Sequence, residues 1–488
     1  MKRTNLKLLS FWSSLGPHLL PFADVATPDL PLSRLLRLSL FQVSVGMAMV
    51  LLVGTLNRVM IVELNVPAWI VGVMLAMPLI FAPLRALIGF RSDHHRSALG
   101  WKRVPYVWKG SLAQFGGFAI MPFALLVLAG EGLSGNLSPW VGQAAAAIAF
   151  LLVGAGVHTV QTAGLALATD LTPPESHARV VGLMYVMLLA GMMVSALIFG
   201  TVLIDFSPGR LVRVIQTAAV LTLVLNFIAV WKQEPRRRQS STATLVADPS
   251  FMDAWREFCK GEHTVRRLTI VGLGTMAFGM ADILLEPFGG HVLNLSVSAT
   301  TLLTALFAAG GLVGFGLASK LLSDGADAFA VARAGAFVGL PAFALVMTAG
   351  PLQMPWLFVI GNFMIGFGGA LFGHSTLTAT MNRAPKDQAG LALGAWGAVQ
   401  ATAAGIGVAL SGIIRDMVNA IEAAATVGAA NLASPSGYVT VYAIELTLLI
   451  VTLLVAAPMI QRKGPKQSAV VDKLANEAPG KPALQDAS

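Results

Sequence analysis

The sequence predicts an all-α membrane protein of twelve transmembrane helices arranged as two six-helix halves. Three observations carry that prediction. Only 12% of the 488 residues are charged, against about 25% in an ordinary soluble domain. Hydrophobic residues reach 56% and the mean hydropathy is +0.73. At roughly 20 apolar residues per bilayer crossing, the chain divides into about a dozen runs of span length. The same composition excludes a soluble enzyme, and Cys259, the sole cysteine, excludes a disulfide framework. The net charge of +9 does not point to nucleic acid, because the basic residues are scattered through short gaps between apolar runs.

Taken in order, residues 1–35 form an amphipathic surface segment with Lys2, Arg3, Lys7 and Arg34. Gly16, Pro17, Pro21 and Asp24 interrupt its apolar run, so a signal peptide is not expected there. The first half, 36–231, holds spans near 36–62, 68–90, 104–129, 141–168, 180–204 and 211–231. Residues 232–266 contain KQEPRRRQSS and DPSFMDAWREFCKGEHTVR and read as a polar linker. The second half, 267–461, holds spans near 267–288, 298–320, 329–350, 356–380, 389–414 and 438–460, and the tail 462–488 is polar. Pro78, Pro83 and Pro341 are positions of expected kinks. Alternate gaps assign about 27 of the 33 Lys and Arg residues to one side, and the positive-inside rule then makes that side, with both termini, cytoplasmic. Trp69, Trp101, Trp140 and Trp356 lie near span ends, as an interfacial belt requires.

Two equal helical groups joined by a long polar loop fit the major facilitator architecture. The gap after the second span supports it, since Gly89, Ser92, Asp93 and Arg96 follow the G-x-x-S-D-x-x-R skeleton typical there. Such a loop can act as a cytoplasmic clamp: glycine admits a neighbouring backbone, Asp93 faces a helix N-terminus, and Arg96 pairs with a carboxylate such as Asp170. The corresponding loop of the second half is degenerate, with Asp324 displaced.

Longer strings are more specific. LSRLLRLSLFQVSVGMAMVLLVGTLNRVMIVEL at 32–64 and APLRALIGFRSDHHRSALGWKRVPYVWKG at 82–110 are joined by GMADILLEPFGGHVL at 279–293, IGFGGALFGHSTLTATM at 365–381 and GLALGAWGAVQATAAG at 390–405. Over roughly 30–415 the chain resembles the PucC/LhaA family of photosynthetic purple bacteria. The resemblance implies a non-enzymatic major facilitator relative of the photosynthetic cytoplasmic membrane that assists assembly of light-harvesting antenna complexes. It implies transient binding of bacteriochlorophyll as cofactor and light-harvesting α and β polypeptides as partners, with the reaction-centre core complex, pigment-synthesis enzymes and insertion machinery as further candidates. Core and peripheral antenna both remain open as the complex served.

Ionisable side chains inside a bilayer are functional candidates by default. Arg85 can pair with a carboxylate, snorkel to the interface or bond a pigment carbonyl. Asp282 and Glu286, four residues apart, share one helix face and suit a proton relay, a bound cation or structural hydrogen bonds, with Glu286, just before Pro287, expected at a partly solvated helix end. His158 and His374 sit among small residues, which leaves room for a flat macrocycle whose magnesium takes an imidazole ligand, or else for close helix packing. Gln114, Gln161, Asn226, Asn362 and Gln400 can bind pigment carbonyls or coordinate magnesium through oxygen, though most are expected to bond between helices, and Gly366, Gly368, Gly369 and Gly373 to serve packing. A proton-coupled transporter of a small molecule and a pigment-free antenna scaffold are the competing readings.

Overall fold

The computed structural model describes residues 31–80, 101–130, 137–173, 176–234, 263–383, 389–425 and 434–459. Among them, eleven helices are long and apolar enough to cross a membrane, and a shorter apolar helix accompanies them. In chain order these are α1 (Leu32–Glu63), α2 (Ala68–Ile80), α3 (Val104–Ala129), α4 (Pro139–Asp170), α5 (His177–Val202) and α6 (Pro208–Val230). The second half follows as α7 (Thr264–His291), α8 (Val297–Ser323), α9 (Ala328–Leu352), α10 (Pro355–Arg383), α11 (Ala389–Ala425) and α12 (Pro435–Ala456). The shorter helix is α2, described only to residue 80. No strand occurs among the described residues.

Helices form because lipid offers backbone groups no partner, so each span satisfies its own. Their ends follow ordinary capping chemistry. Ser207, Ser296 and Asp327 accept the backbone N–H three residues on, starting α6, α8 and α9. Proline occupies the first turn of α3, α4, α6 and α12, where its missing N–H costs nothing. The helical backbone continues through Pro78 and Pro341. α1 starts at Leu32, before the expected 36, and α11 runs to Ala425, beyond the expected 414.

Packing repeats between the halves. In the first half α3 packs on α4 and α6, and α1 on α5 and α6; in the second, α9 packs on α10 and α12, and α7 on α11 and α12. Adding six to each index converts one set into the other. The halves meet where α2 packs on α11 and α5 on α8, and these two pairs are likewise exchanged by that operation. Close backbone approach sustains the bundle: a Cβ on Gly366 of α10 would strike the Phe307 carbonyl of α8.

Two helices depart from regularity, and they face each other. α1 is π-helical over Val50–Leu56 and Val59–Glu63. α7 breaks after Met280, makes one 3₁₀ turn at Ala281–Ile283, and resumes at Leu285–His291. Such irregular backbone at membrane depth is tolerated where protein or a cavity satisfies it. Here Asn57 of α1 donates Nδ2–H to the Ile283 carbonyl at 2.8 Å.

Other bonds across the halves gather near the same level or beyond, toward the face opposite the chain's entry and exit. Thr55 and Thr301 hydroxyls lie 3.3 Å apart, Arg58 donates to the Leu295 carbonyl at 2.9 Å, and Ser298 to the Gly200 carbonyl at 2.7 Å. The Trp69 backbone N–H reaches Asp416 Oδ2 at 2.9 Å. At the entry face Arg34 holds Gln233 within the first half, and Arg266 holds the Val455 carbonyl within the second.

Candidate functional site

The break in α7 places Asp282 in its 3₁₀ turn and Glu286 in the first turn of the resumed helix. Both line an interior cavity of about 410 Å³ between the halves, together with Met49 and Gly54 of α1, Asn362 of α10 and Gln400 of α11. That volume lies within the roughly 300–1,000 Å³ typical of small-molecule sites. Asp282 and Glu286 therefore meet at one cavity, as the four-residue spacing predicts, but the interrupted helix presents them rather than one continuous face.

Glu286 is 5% exposed although it precedes Pro287, so it is not a solvated end residue. Thr304 donates its hydroxyl to Glu286 Oε1, Arg58 acts on the carboxylate electrostatically, and Oε2 is buried without a hydrogen-bond partner. A Cβ on Gly54 would meet Oε1, so any larger residue there would force this carboxylate to move. Asp282 also borders a second interior space of about 70 Å³ that it shares with His158, Pro78 and Phe150. Among the described residues no cluster of three His, Cys, Asp or Glu side chains is placed to hold a metal ion.

The two histidines differ sharply in surroundings. Around His158 the small residues serve packing: a Cβ on Gly154 would strike the Pro78 ring, and one on Gly156 the Gly110 carbonyl. The adjoining 70 Å³ is far below the size of a ligand pocket. His374 is half-buried on α10, with the Phe315 ring of α8 at 4.2 Å between centroids and Tyr185 of α5 stacked beyond Phe315 at 6.5 Å. A Cβ on Gly373, beside it, would meet nothing within 4 Å, so there is open space at this level. His374 lies twelve positions beyond Asn362 on the same helix, or roughly 18 Å along the axis. It is thus a separate site from the carboxylate cavity.

Of the clamp residues, Gly89, Ser92, Asp93 and Arg96 lie outside the described residues, as does Arg85. Asp170 is described, at the end of α4, where Arg103 donates Nε–H to its Oδ2 at 2.9 Å. Next to that pair Glu234 caps α3, accepting the backbone N–H groups of Lys102, Arg103 and Val104 at 2.6–3.1 Å. A groove of about 720 Å³ opens here on the outer flank, walled by Trp101, Trp108, Phe227 and Trp231. It is roomier than the interior cavity, yet its aromatic walls are those of a membrane interface, and the carboxylate of Glu234 is occupied in capping. The titratable interior cavity is the better site for chemistry. Of the expected interhelical bonds, Asn226 reaches Ser111 Oγ at 2.8 Å and Asn362 the Leu303 carbonyl at 2.9 Å, whereas the Gln114 amide is buried with neither atom bonded, contrary to expectation.

The sequence reading assigned no site role to two groups. Glu445 on α12 is fully buried with neither carboxyl oxygen bonded; a lone charged residue in an otherwise apolar 22-residue helix is the signal that points to it. Near the opposite face, Arg415 is 1% exposed, pairs with Asp416 at 2.6 Å and lies 4.8 Å above the Tyr438 ring. His291 Nδ1 lies 2.7 Å from the Tyr438 hydroxyl. Arg415 stood out by charge, but its burial depends on α12 covering it.

Residues 55–464 match the family described as PUCC protein. Protein PucC of Rhodovulum sulfidophilum is 62% identical over 420 residues, covering 86% of this chain and 92% of its own. Protein PucC of Rhodobacter capsulatus is 56% identical over 455 residues, covering 92% and 97%. A Rhodobacter capsulatus protein named bacteriochlorophyll synthase 44.5 kDa chain is 30% identical over 387 residues, covering 77% and 85%. Among solved structures, a bacterial homologue of the human lysosomal transporter Spinster, inward-facing and unoccupied, superposes with TM-score 0.62 at 16% identity, covering 87% and 95%. A D-xylose–proton symporter gives TM-score 0.61 at 14% identity, covering 87% and 97%. The fold is that of the major facilitator transporters.

Proposed function

The chain belongs to the PUCC protein family, and from that premise we propose that it is a non-enzymatic assembly factor for light-harvesting antenna complexes. It holds bacteriochlorophyll and antenna polypeptides together in the photosynthetic inner membrane, with both termini cytoplasmic. The relative named as a bacteriochlorophyll synthase chain supports a tetrapyrrole ligand. The observation that carries the pigment part is the setting of His374: a half-buried imidazole, aromatic rings on one side and unfilled space beside Gly373. His374 would hold the pigment through an imidazole nitrogen on its magnesium, and Phe315 and Tyr185 would offer apolar walls. His158 fits that role poorly, because its space admits only a few waters. Exposed apolar residues such as Val194, Ile198 and Leu197 on α5 and Val220 and Val224 on α6 give single-span antenna helices a lateral surface. Transfer is then lateral, within the membrane.

Gentle detergent purification from phototrophic cells tests this reading. Near-infrared absorption and co-eluting antenna polypeptides are expected, and His374→Ala should lower pigment retention about tenfold, a loss of ~1.4 kcal/mol. A colourless protein without antenna chains overturns the proposal, and antenna chains without colour leave only the scaffold.

One observation favours a second reading, a proton-coupled carrier: the discontinuous α7 brings two carboxylates to a cavity between the halves, the usual place for substrate and coupling-ion sites in secondary transporters. Neutralising Asp282 and Glu286 together should abolish such a carrier and leave antenna assembly intact.

A further inference from the structure

We propose that the groove on the outer flank of the first half binds an anionic phospholipid, with the headgroup phosphate on Lys232 and the upper part of an acyl chain against Trp108 and Phe227. This stands apart from the antenna reading and does not require it. The groove runs between the start of α3 and the end of α6 and has a volume of about 720 Å³. Trp108, Phe227 and Trp231 on its walls are 43–49% exposed, and the Phe227 and Trp231 rings pack at 4.8 Å between centroids. Tryptophan is the usual anchor at the level of lipid headgroups.

Charge at the rim is one-sided. Lys232 lines the groove and has no hydrogen bond or ion pair among the described residues. Arg37 donates to the Trp231 carbonyl at 3.0 Å and Arg34 to the Gln233 carbonyl at 2.9 Å. Neither guanidinium meets a carboxylate among the described residues, and Arg37 Nε is buried with no partner. The carboxylates nearby are already engaged, Glu234 in capping α3 and Asp170 with Arg103. Lys232 closes α6 at φ +52, where glycine or asparagine is the ordinary residue. A lysine adds nothing to that conformation; what it brings is a charge at the groove. Fixed positive charge beside apolar walls between helices matches a negative headgroup with a hydrocarbon tail.

Depth separates this occupant from others. Trp108 lies four residues into α3, and Phe227 five residues before Lys232, so the aromatic walls reach roughly 6–8 Å below the charged rim. That suits a glycerol backbone and its first methylenes. A single-span helix needs an apolar seam along roughly 30 Å, and an imidazole-ligated pigment needs a histidine, which the groove lining lacks among the described residues. Free phosphate would leave the aromatic walls bare. The bound lipid braces the end of α6 against the start of α3, where the chain leaves the first half.

Photocrosslinking tests this on the full chain in phosphatidylcholine nanodiscs doped with phosphatidylglycerol that carries a photoreactive acyl group. Peptide mass spectrometry should place the label on Trp101–Trp108 and Phe227–Gln233 in preference to the rest of the bundle. Lys232→Asn, which keeps a residue suited to φ +52, should lower that labelling about fivefold, the effect of one basic charge. Excess inorganic phosphate should leave it in place. Label spread evenly over the helices, equal labelling by a photoreactive phosphatidylcholine, no change in Lys232→Asn, or displacement by phosphate each overturns the proposal. Should Lys232→Asn not fold, Trp108→Ala decides: weaker labelling of the groove supports the site, and unchanged labelling overturns it. Antenna assembly is read from pigment and partner recovery, so the two failures are separable.

Discussion

Arg415 shows how much one side chain can depend on the helix that covers it. Its guanidinium is buried under Tyr438 and bound to Asp416, whose other oxygen receives the Trp69 backbone N–H. Removing the cation leaves a carboxylate largely out of water, and breaking such a pair costs about 3–5 kcal/mol. Arg415→Met should therefore lower the unfolding midpoint in detergent well below the wild type; an unchanged midpoint would contradict the pairing. Gly54 makes the opposite demand, for the absence of a side chain. A methyl group there meets Glu286 Oε1, so Gly54→Ala should cost about 1–3 kcal/mol by overpacking, read as a lowered unfolding temperature. Gly373→Ala, with open space around its Cβ, should stay near wild type in the same assay.

At the level of elements, α3 and α7 are finished by residues distant in the chain. Glu234 accepts three backbone N–H groups at the start of α3, the role a local Ser, Thr or Asp ordinarily fills. Loss of a cap is worth about 0.5–2 kcal/mol, so Glu234→Ala should speed amide exchange in the first turn of α3 and leave its middle protected. The break in α7 frees carbonyls, and Asn57 answers one of them. Asn57→Leu removes that donor, and leaving the Ile283 carbonyl unsatisfied should cost about 1–3 kcal/mol. Glu234 and Asn57 are ordinary polar residues in the sequence, and only the fold gives them these partners.

For the whole molecule, the cross-half bonds at Thr55, Asn57, Arg58, Trp69 and Ser298 pin the halves toward the face away from the termini. Thr55→Cys with Thr301→Cys, in a Cys259→Ser background, should crosslink readily under mild oxidation. If the halves part at that face during function, a ligand that drives the parting should suppress the crosslink. A crosslink that never forms would mean that this packing is not populated. The repeated packing of α1–α6 and α7–α12 makes each half a body of its own, and the two meet chiefly along α2–α11 and α5–α8, the seams on which such rocking would turn.

Composition and span-length arithmetic determined the class, the helix order and the two-half division, because lipid leaves a polar backbone few alternatives to a helix and apolar runs record each crossing. The pairing of Asp282 with Glu286 at one place was likewise legible, since charged residues stand out in apolar text. The sequence could not separate His158 from His374. Both sit among glycines, and only packing revealed that Gly154 and Gly156 are filled by neighbouring helices while Gly373 faces space. Nor could it show that Glu445 is buried with neither oxygen bonded, or that α7 breaks between Met280 and Leu285. Those depend on which helices meet and at what depth, and hydrophobicity along a chain sets the depth of a residue without setting its neighbours.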